Sequence, residues 1–339
     1  MMSSTVLWSD FLQHVFVLYE QKFLQRGIAV PDSLAPEFDL IRNTIVDSLE
    51  YFSLVGSLEE RFGALDMELV SEHGFGALGS LYQGLTGAAP GKQAGITRAD
   101  MAEALAGLSL EPDGVFVIHS GLQHLGPIQG HAEALHAALQ DVAGRGITVM
   151  VPAANIPQFK AHAFDARTTP ADASLGVFSE YIRSRPGALR SENPLDSAAA
   201  IGPQAIALIR PYELAYGEGS PWRQALDLNA TALFVGVGLE YASAVHMAEL
   251  DCRVPYRAMK DFRYRTMGDS GPQESCYRLF ARQPETLYDF ARIHAVAGFD
   301  AACTWQKLGY GVLTKVRMRA IYASAVRVLN ENPRFFLEG

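Results

Sequence analysis

Residues 230–250 read ATALFVGVGLEYASAVHMAEL, and their interpretation decides the fold. The first nine form an apolar run punctuated by glycines, as expected of a strand buried on both faces. The polar and apolar residues that follow carry helical spacing. A buried strand running directly into a helix is a unit of an α/β layer. Upstream, GVFVIHS (114–120) reads as a second buried strand, GHAEALHAALQDVAGRG (130–146) as a helix ending at glycine, and ITVMVP (147–152) as a further strand. ITRADMAEALAGL (96–108) reads as a helix capped near Thr97. Residues 173–184, 203–209, 285–297 and 318–330 are also expected to be helical, and no internal repeat interrupts the pattern.

The chain has 339 residues, enough for two domains, and 49% of them are hydrophobic, which supplies ample core. A net charge of −9 argues against a nucleic-acid partner, because phosphate backbones need a basic face. Three cysteines (Cys252, Cys276, Cys303) give no disulfide framework and no zinc spacing, so no metal is expected. The N-terminal segment MMSSTVLWSDFLQHVFVLYEQKFLQ is interrupted by Asp10, Gln13, His14 and Glu20 at helical intervals. It reads as an amphipathic helix over residues 7–25, not a membrane span or signal peptide, and a cytoplasmic protein is expected.

Charge is distributed unevenly. Residues 1–90 hold twelve Asp/Glu against four Lys/Arg, which leaves the remainder nearly neutral. The Gly-, Ala- and Pro-rich TGAAPGKQAG (86–95) falls at the change and reads as a linker. Three units are therefore expected: a small all-α, four-helix domain over 1–85, the linker 86–95, and an α/β domain over 96–339. In the first, VDSLEYFSLVGSLEERFG (46–63) reads as a helix capped by Asp47 and stopped by Gly63, with Glu50, Glu59, Glu60 and Arg61 on its wet side. A short helix is expected over 75–85.

The stretch from Asp47 to Gly63 resembles acyl carrier proteins without a gap. That resemblance implies a 4'-phosphopantetheine on Ser48, a phosphopantetheinyl transferase and an acyl-loading enzyme as partners, and a docking surface formed by Glu50, Glu59 and Glu60. A phosphodiester at a helix N-terminus would meet its positive end. Val46 departs from the pattern, which usually has a small residue there.

A second set of segments resembles the aminoglycoside 3-N-acetyltransferase family, in the family's order and over about residues 95–262. They are VFVIHSGLQHLGPIQG, GITVMVP, FDARTTPADASLGVFSEYIRSRPGALRSENP, GSPW and LFVGVGLEYASAVHMAE. The resemblance implies that family's own α/β transferase fold and transfer of an acyl group from a pantetheine thioester to an amine. It implies His246 as general base, with Glu274 favoured as the acid that orients it and Glu249 or Asp269 as alternatives. His119, Ser120 and Gly121 would bind the pantetheine or the oxyanion, and Glu240, Asn193, Asn155 and Lys160 would line the acceptor site. Two departures stand out. Asn193 occupies the place of a family histidine, and the loop AANIPQFKAHAF (153–164) brings Lys160 and His162 where drug-modifying members are acidic.

The expected function is N-acyl transfer from a thioester, carried on Ser48 or on coenzyme A, to a small amine, with an amino sugar or a nucleotide-linked amino sugar preferred. The alternatives are acylation of an aminoacyl group tethered to the carrier, acetyl-CoA-dependent aminoglycoside resistance, and a non-catalytic carrier or adaptor. The reading leaves room for a homo-oligomer.

Overall fold

A computed structural model describes residues 8–25, 34, 38–43, 45–73, 76–87, 95–155, 163–268, 271–284, 286–309 and 311–337. Its centre is a mixed seven-stranded sheet. The strands are β1 (Val115–Ser120), β2 (Thr148–Pro152), β3 (Leu189–Arg190), β4 (Ala198–Ile201), β5 (Thr231–Val235), β8 (Thr304–Leu308) and β9 (Gly311–Arg317), in the order β3-β4-β2-β1-β5-β9-β8. β1 runs parallel to β2 on one side and to β5 on the other, while the outer strands pair antiparallel.

The central strands are apolar throughout because each face of the sheet buries its own core. Phe116, Ile118, Val149, Val151, Leu233 and Val235 point to one side. There they meet α6 (Arg98–Gly107), α7 (His131–Ala143) and α8 (Val177–Arg183) through Leu105, Leu135, Leu139, Phe178 and Ile182. The alternate residues Val117, Met150, Ala232 and Phe234 point to the other side. They pack against α10 (Pro221–Asp227), α11 (Ser243–Asp251) and α12 (Met318–Glu331) through Trp222, Val245, Met247, Ala248 and Ile321. The capping of α6 at Thr97 is a reciprocal box with Asp100, as the sequence indicated. α9 (Ala205–Leu208) is a single turn.

A long ribbon, β6 (Arg257–Gly268) with β7 (Gly271–Arg282), stands outside the sheet and was not anticipated from sequence. The helix expected over 285–297 is only a 3-10 segment, Phe290–Ala295.

The acidic front is helical, with α1 (Trp8–Leu18), α2 (Glu20–Gln25), α3 (Ser48–Phe62), α4 (Met67–His73) and α5 (Leu78–Thr86). The single helix expected over 7–25 is interrupted at Tyr19. Phe11, Val15, Phe23, Leu54, Leu58, Val70 and Leu81 form a core of its own, drawn wholly from this front segment. Among the described residues, no helix is long and apolar enough to cross a membrane.

One glycine fixes the join between layers. Gly176 precedes α8 at φ +83°, and a Cβ there would lie 2.5 Å from the Ser120 carbonyl oxygen at the end of β1. Gly176→Ala is expected to cost about 1–3 kcal/mol of stability in denaturant unfolding and to lower turnover by displacing the end of β1.

Candidate active site

β1 is the strand at which the sheet's order reverses, with β2 placed on one flank and β5 on the other. Ligand clefts of open α/β sheets form outside the carboxyl ends of strands at such a switch point. A cleft of about 670 Å³ lies there, lined by His119 and Ser120 at the end of β1 and Gly121 after it, Ala154 after β2, Val237 after β5, and His246 on α11.

His246 and Glu249 are one turn apart on α11, so both side chains fall on one face of the helix. His246 Nδ1 lies 2.9 Å from Glu249 Oε2. Tyr256 donates its hydroxyl to Oε1 at 2.9 Å, and Arg257 approaches Oε2 at 2.9 Å. Glu249 has no exposed surface, whereas the His246 side chain keeps 20% of its own on the cleft side. Burial alone would raise the Glu249 pKa, but hydrogen bonds from His246 and Tyr256 together with the charge of Arg257 overcome it and hold the carboxyl below its usual value. A charged carboxylate can only accept, so it fixes the proton on Nδ1 and leaves the Nε2 lone pair free. Burial, with Arg257 and Arg282 assisting, pulls the His246 pKa below 6.5 despite the pull of Glu249.

His119 is stacked between Phe234 (5.1 Å) and Trp222 (6.1 Å). Burial, with His246 nearby, drives its pKa to about 4, so it is neutral at physiological pH. The Ser120 hydroxyl is buried beside the cleft and has no hydrogen-bond partner among the described residues. Gly121 differs from expectation, because its N–H donates to the Val235 carbonyl at 2.9 Å and is not available to an oxyanion.

The structure corrects further expectations. Glu274, the favoured orienting acid, is exposed on β7 opposite Arg265, and the carboxylate bonded to His246 is that of Glu249. Asn155 donates Nδ2 to the Pro170 carbonyl at 2.6 Å and its backbone N–H to that of Pro194, so it braces the cleft wall from behind. Asn193 is fully buried, accepts from the Leu195 N–H, and faces a separate cavity of about 190 Å³. Glu240 accepts the Gly238 N–H at 3.2 Å, next to Tyr241 on the cleft rim. Lys160 and Asp269 lie outside the described residues.

Sequence reasoning missed Asp196, Tyr216 and Arg257. Asp196 is buried in the cleft wall, bonded by the Tyr212 hydroxyl (2.6 Å) and the Tyr216 N–H (3.0 Å), and its pKa is pushed by burial up to about 7. Tyr216 covers the His246 ring at 4.8 Å. A larger open groove of about 890 Å³ is lined by Leu250, Asp251, Val254 and Arg257, but the imidazole faces the cleft. Among the described residues, no group of His, Cys, Asp and Glu side chains is arranged to hold a metal.

The family model for aminoglycoside 3-N-acetyltransferase matches residues 117–330, a span that begins within β1 and contains the whole of α11. The chain belongs to the aminoglycoside 3-N-acetyltransferase family. It is an N-acyltransferase. It is similar to aminoglycoside N(3)-acetyltransferase III of Enterobacter cloacae, with 31% identity over 52% of this chain and 68% of the relative. It is also similar to aminoglycoside N(3)-acetyltransferase IV from Salmonella, with 28% identity over 71% of this chain and 90% of the relative. Among solved structures, AAC-IIIb in a binary complex with CoASH aligns at a TM-score of 0.64 and 26% identity, over 70% of this chain and 97% of that one. A mutant of aminoglycoside acetyltransferase AAC(3)-IVa in complex with a gentamicin aligns at 0.64 and 26%, over 74% and 94%. The family match begins beyond the acidic front, so it supports the transferase part of the expectation only.

Glu249→Gln removes the partner of a buried guanidinium and is expected to cost about 3–5 kcal/mol of stability. It should also lower kcat/KM by roughly 10²-fold or more, since positioned general bases contribute about 10²–10⁴-fold. Glu274→Gln should leave steady-state kinetics near those of the parent.

Proposed function

We propose that this enzyme transfers an acyl group from acyl-CoA to a primary amine of an aminoglycoside-type amino sugar, with His246 as general base. The observation that carries this reading is the His246–Glu249 pair, which faces the cleft at the switch point of the sheet. Acetyl-CoA is the donor favoured by the likeness to a CoASH-bound relative, and an amino-sugar acceptor by the likeness to a gentamicin-bound one.

The chemistry follows from the groups present. Nε2 of neutral His246 takes a proton from the neutral attacking amine as its nitrogen bonds to the thioester carbonyl carbon. The charge that develops on the carbonyl oxygen calls for a donor inside the cleft. The Ser120 hydroxyl, which has no partner among the described residues, serves that purpose in place of the engaged Gly121 N–H. As the C–S bond breaks, the departing thiolate accepts a proton from the imidazolium, which restores neutral His246. Glu249 keeps Nδ1 protonated throughout, and neutral His119 adds no charge to the wall.

A second donor reading remains attached to residues 1–85, as a carrier domain joined by residues 86–95 to the transferase at 96–339. It is favoured by the separate core of the helical front and by the position of Ser48 as the first residue of the 15-residue helix α3. The flanking Asp47 and Glu50 form a reciprocal box, in which Asp47 accepts the Glu50 N–H at 2.8 Å and Glu50 accepts the Asp47 N–H at 2.9 Å. Glu50 is also tied to Lys22 at 2.5 Å and Glu59 accepts the Leu65 N–H at 3.2 Å, which leaves Glu60 as the freest of the three acids for a basic partner such as a phosphopantetheinyl transferase or an acyl-loading enzyme.

The test is an acyl-transfer assay with acetyl-CoA and a panel of amino sugars. His246→Ala should lower kcat/KM by roughly 10²–10⁴-fold. In the parent, activity should fall as pH drops through a midpoint below 6.5, because the lowered pKa keeps His246 neutral further into acid. A midpoint above 6.5 would contradict the assignment. Ser48→Ala should retain full activity with free acetyl-CoA. If free acetyl-CoA is inert and only a phosphopantetheine-bearing protein, identified by intact mass, transfers its acyl group, the carrier reading replaces it.

A further inference from the structure

We infer that Arg257 is a positioning residue of this site, one that closes the His246–Glu249 pair from behind and offsets the carboxylate's field at the imidazole. The inference rests on His246 acting as the base. Arg257 is the first residue of β6, where it pairs with Arg282 across the ribbon. Its side chain is 8% exposed. Nη1 donates to the Phe280 carbonyl at 3.1 Å, which anchors the guanidinium to β7. Nη2 lies 2.9 Å from Glu249 Oε2 and 3.1 Å from His246 Nδ1; because Nδ1 directs its own proton to the carboxylate, the guanidinium faces the imidazole as a neighbouring charge and not as a hydrogen-bond donor to it.

This triangle changes what Glu249 does to the histidine. A buried carboxylate alone beside an imidazole stabilises the imidazolium, and a base that is already protonated cannot take a proton from the acceptor. With Arg257 bonded to the same oxygen, His246 faces a nearly neutral ion pair. The carboxylate still fixes the ring through Nδ1–H, but it no longer traps the second proton on Nε2. A guanidinium suits this place because it does not titrate in the working range and can only donate.

The other groups around the ring are few. Glu249 is on α11 with His246, and Arg282 on β7 adds a second positive charge at longer range. His119 at the end of β1 is neutral. Tyr216 and Tyr288 present their rings at 4.8 and 6.3 Å, and Phe290 is apolar. Arg257 is the only cation among these within 3.5 Å of the imidazole in the described structure.

The experiment compares pH profiles of kcat/KM for the full-length parent, Arg257→Met and Arg257→Lys, with His246→Ala measured alongside. Loss of the guanidinium should move the acid limb of Arg257→Met to higher pH, so that its deficit relative to the parent is roughly tenfold larger at pH 6 than at pH 8.5. Arg257→Lys, which keeps the charge, should hold the limb near its parental position. An equal loss at every pH with an unmoved limb would overturn the inference and leave Arg257 a purely structural side chain. Should Arg257→Met fail to fold, Arg257→Gln takes its place with the same two outcomes. If His246→Ala keeps parental activity, it is the base assignment that fails. If that variant is inactive and the Arg257 limb is unmoved, only the present inference fails.

Discussion

Glu249 is a carboxylate without exposed surface, and it stays charged because His246, Tyr256 and Arg257 all converge on its two oxygens. Removing one charge from water costs several kcal/mol unless partners replace the lost solvation. The partners here come from three places in the chain. His246 is one turn earlier on α11, Tyr256 is in the connection that follows, and Arg257 begins β6. The carboxylate therefore pins the end of α11 to the base of the ribbon, and the orientation of the base and the placement of the ribbon are one constraint.

That constraint acts on a rigid platform. β1 and β5 are buried on both faces, so polar side chains capable of chemistry are confined to the strand ends and to the helix that follows. His119 shows the transition. It continues the alternation of Val117 onto the α11 side, yet it is the last but one residue of β1 and reaches the cleft. The opposite wall is held by Arg190, whose buried guanidinium donates to the carbonyls of Thr169 and Ala153 and to the Ser197 hydroxyl. Among the described residues two backbone carbonyls and a hydroxyl bond this cation, Glu180 and Asp165 act on it at longer range, and burial lowers its pKa to about 10. Wall and base are thus fixed by separate polar clusters on either side of β1.

The elements legible in the sequence were those whose burial leaves a periodic signature. β1, β2 and β5 are continuous apolar runs because both faces are covered, α7 ends at Gly144, and α6 opens on the Thr97 box. The β6–β7 ribbon was missed although Phe262, Tyr264 and Thr266 alternate with exposed residues, because most of its residues are exposed and it stands outside the sheet, so it lacks the continuous apolar run of the central strands. The same blindness affected the site. His246 and Glu249 share a helix face, so their meeting could be read from spacing, whereas Glu274 was favoured on an alignment that ran into the ribbon. Arg257 and Asp196 gave no local signal, since their roles arise from long-range packing that brings β6 against α11 and Tyr212 against Asp196.

The acidic front illustrates what local patterning can and cannot carry. Its apolar residues form a core without help from the sheet, which explains why a helix over 48–62 was readable without any knowledge of the rest. Its charge is another matter. Lys22 neutralises Glu50 at 2.5 Å, and Glu59 accepts the Leu65 N–H at 3.2 Å, so part of the apparent acidity is spent on the unit's own folding. A charge balance counted along the sequence overstates the field a partner would meet. Any docking role for this face therefore depends on the acids not already consumed by Lys22 and the backbone, with Glu60 foremost among those on α3.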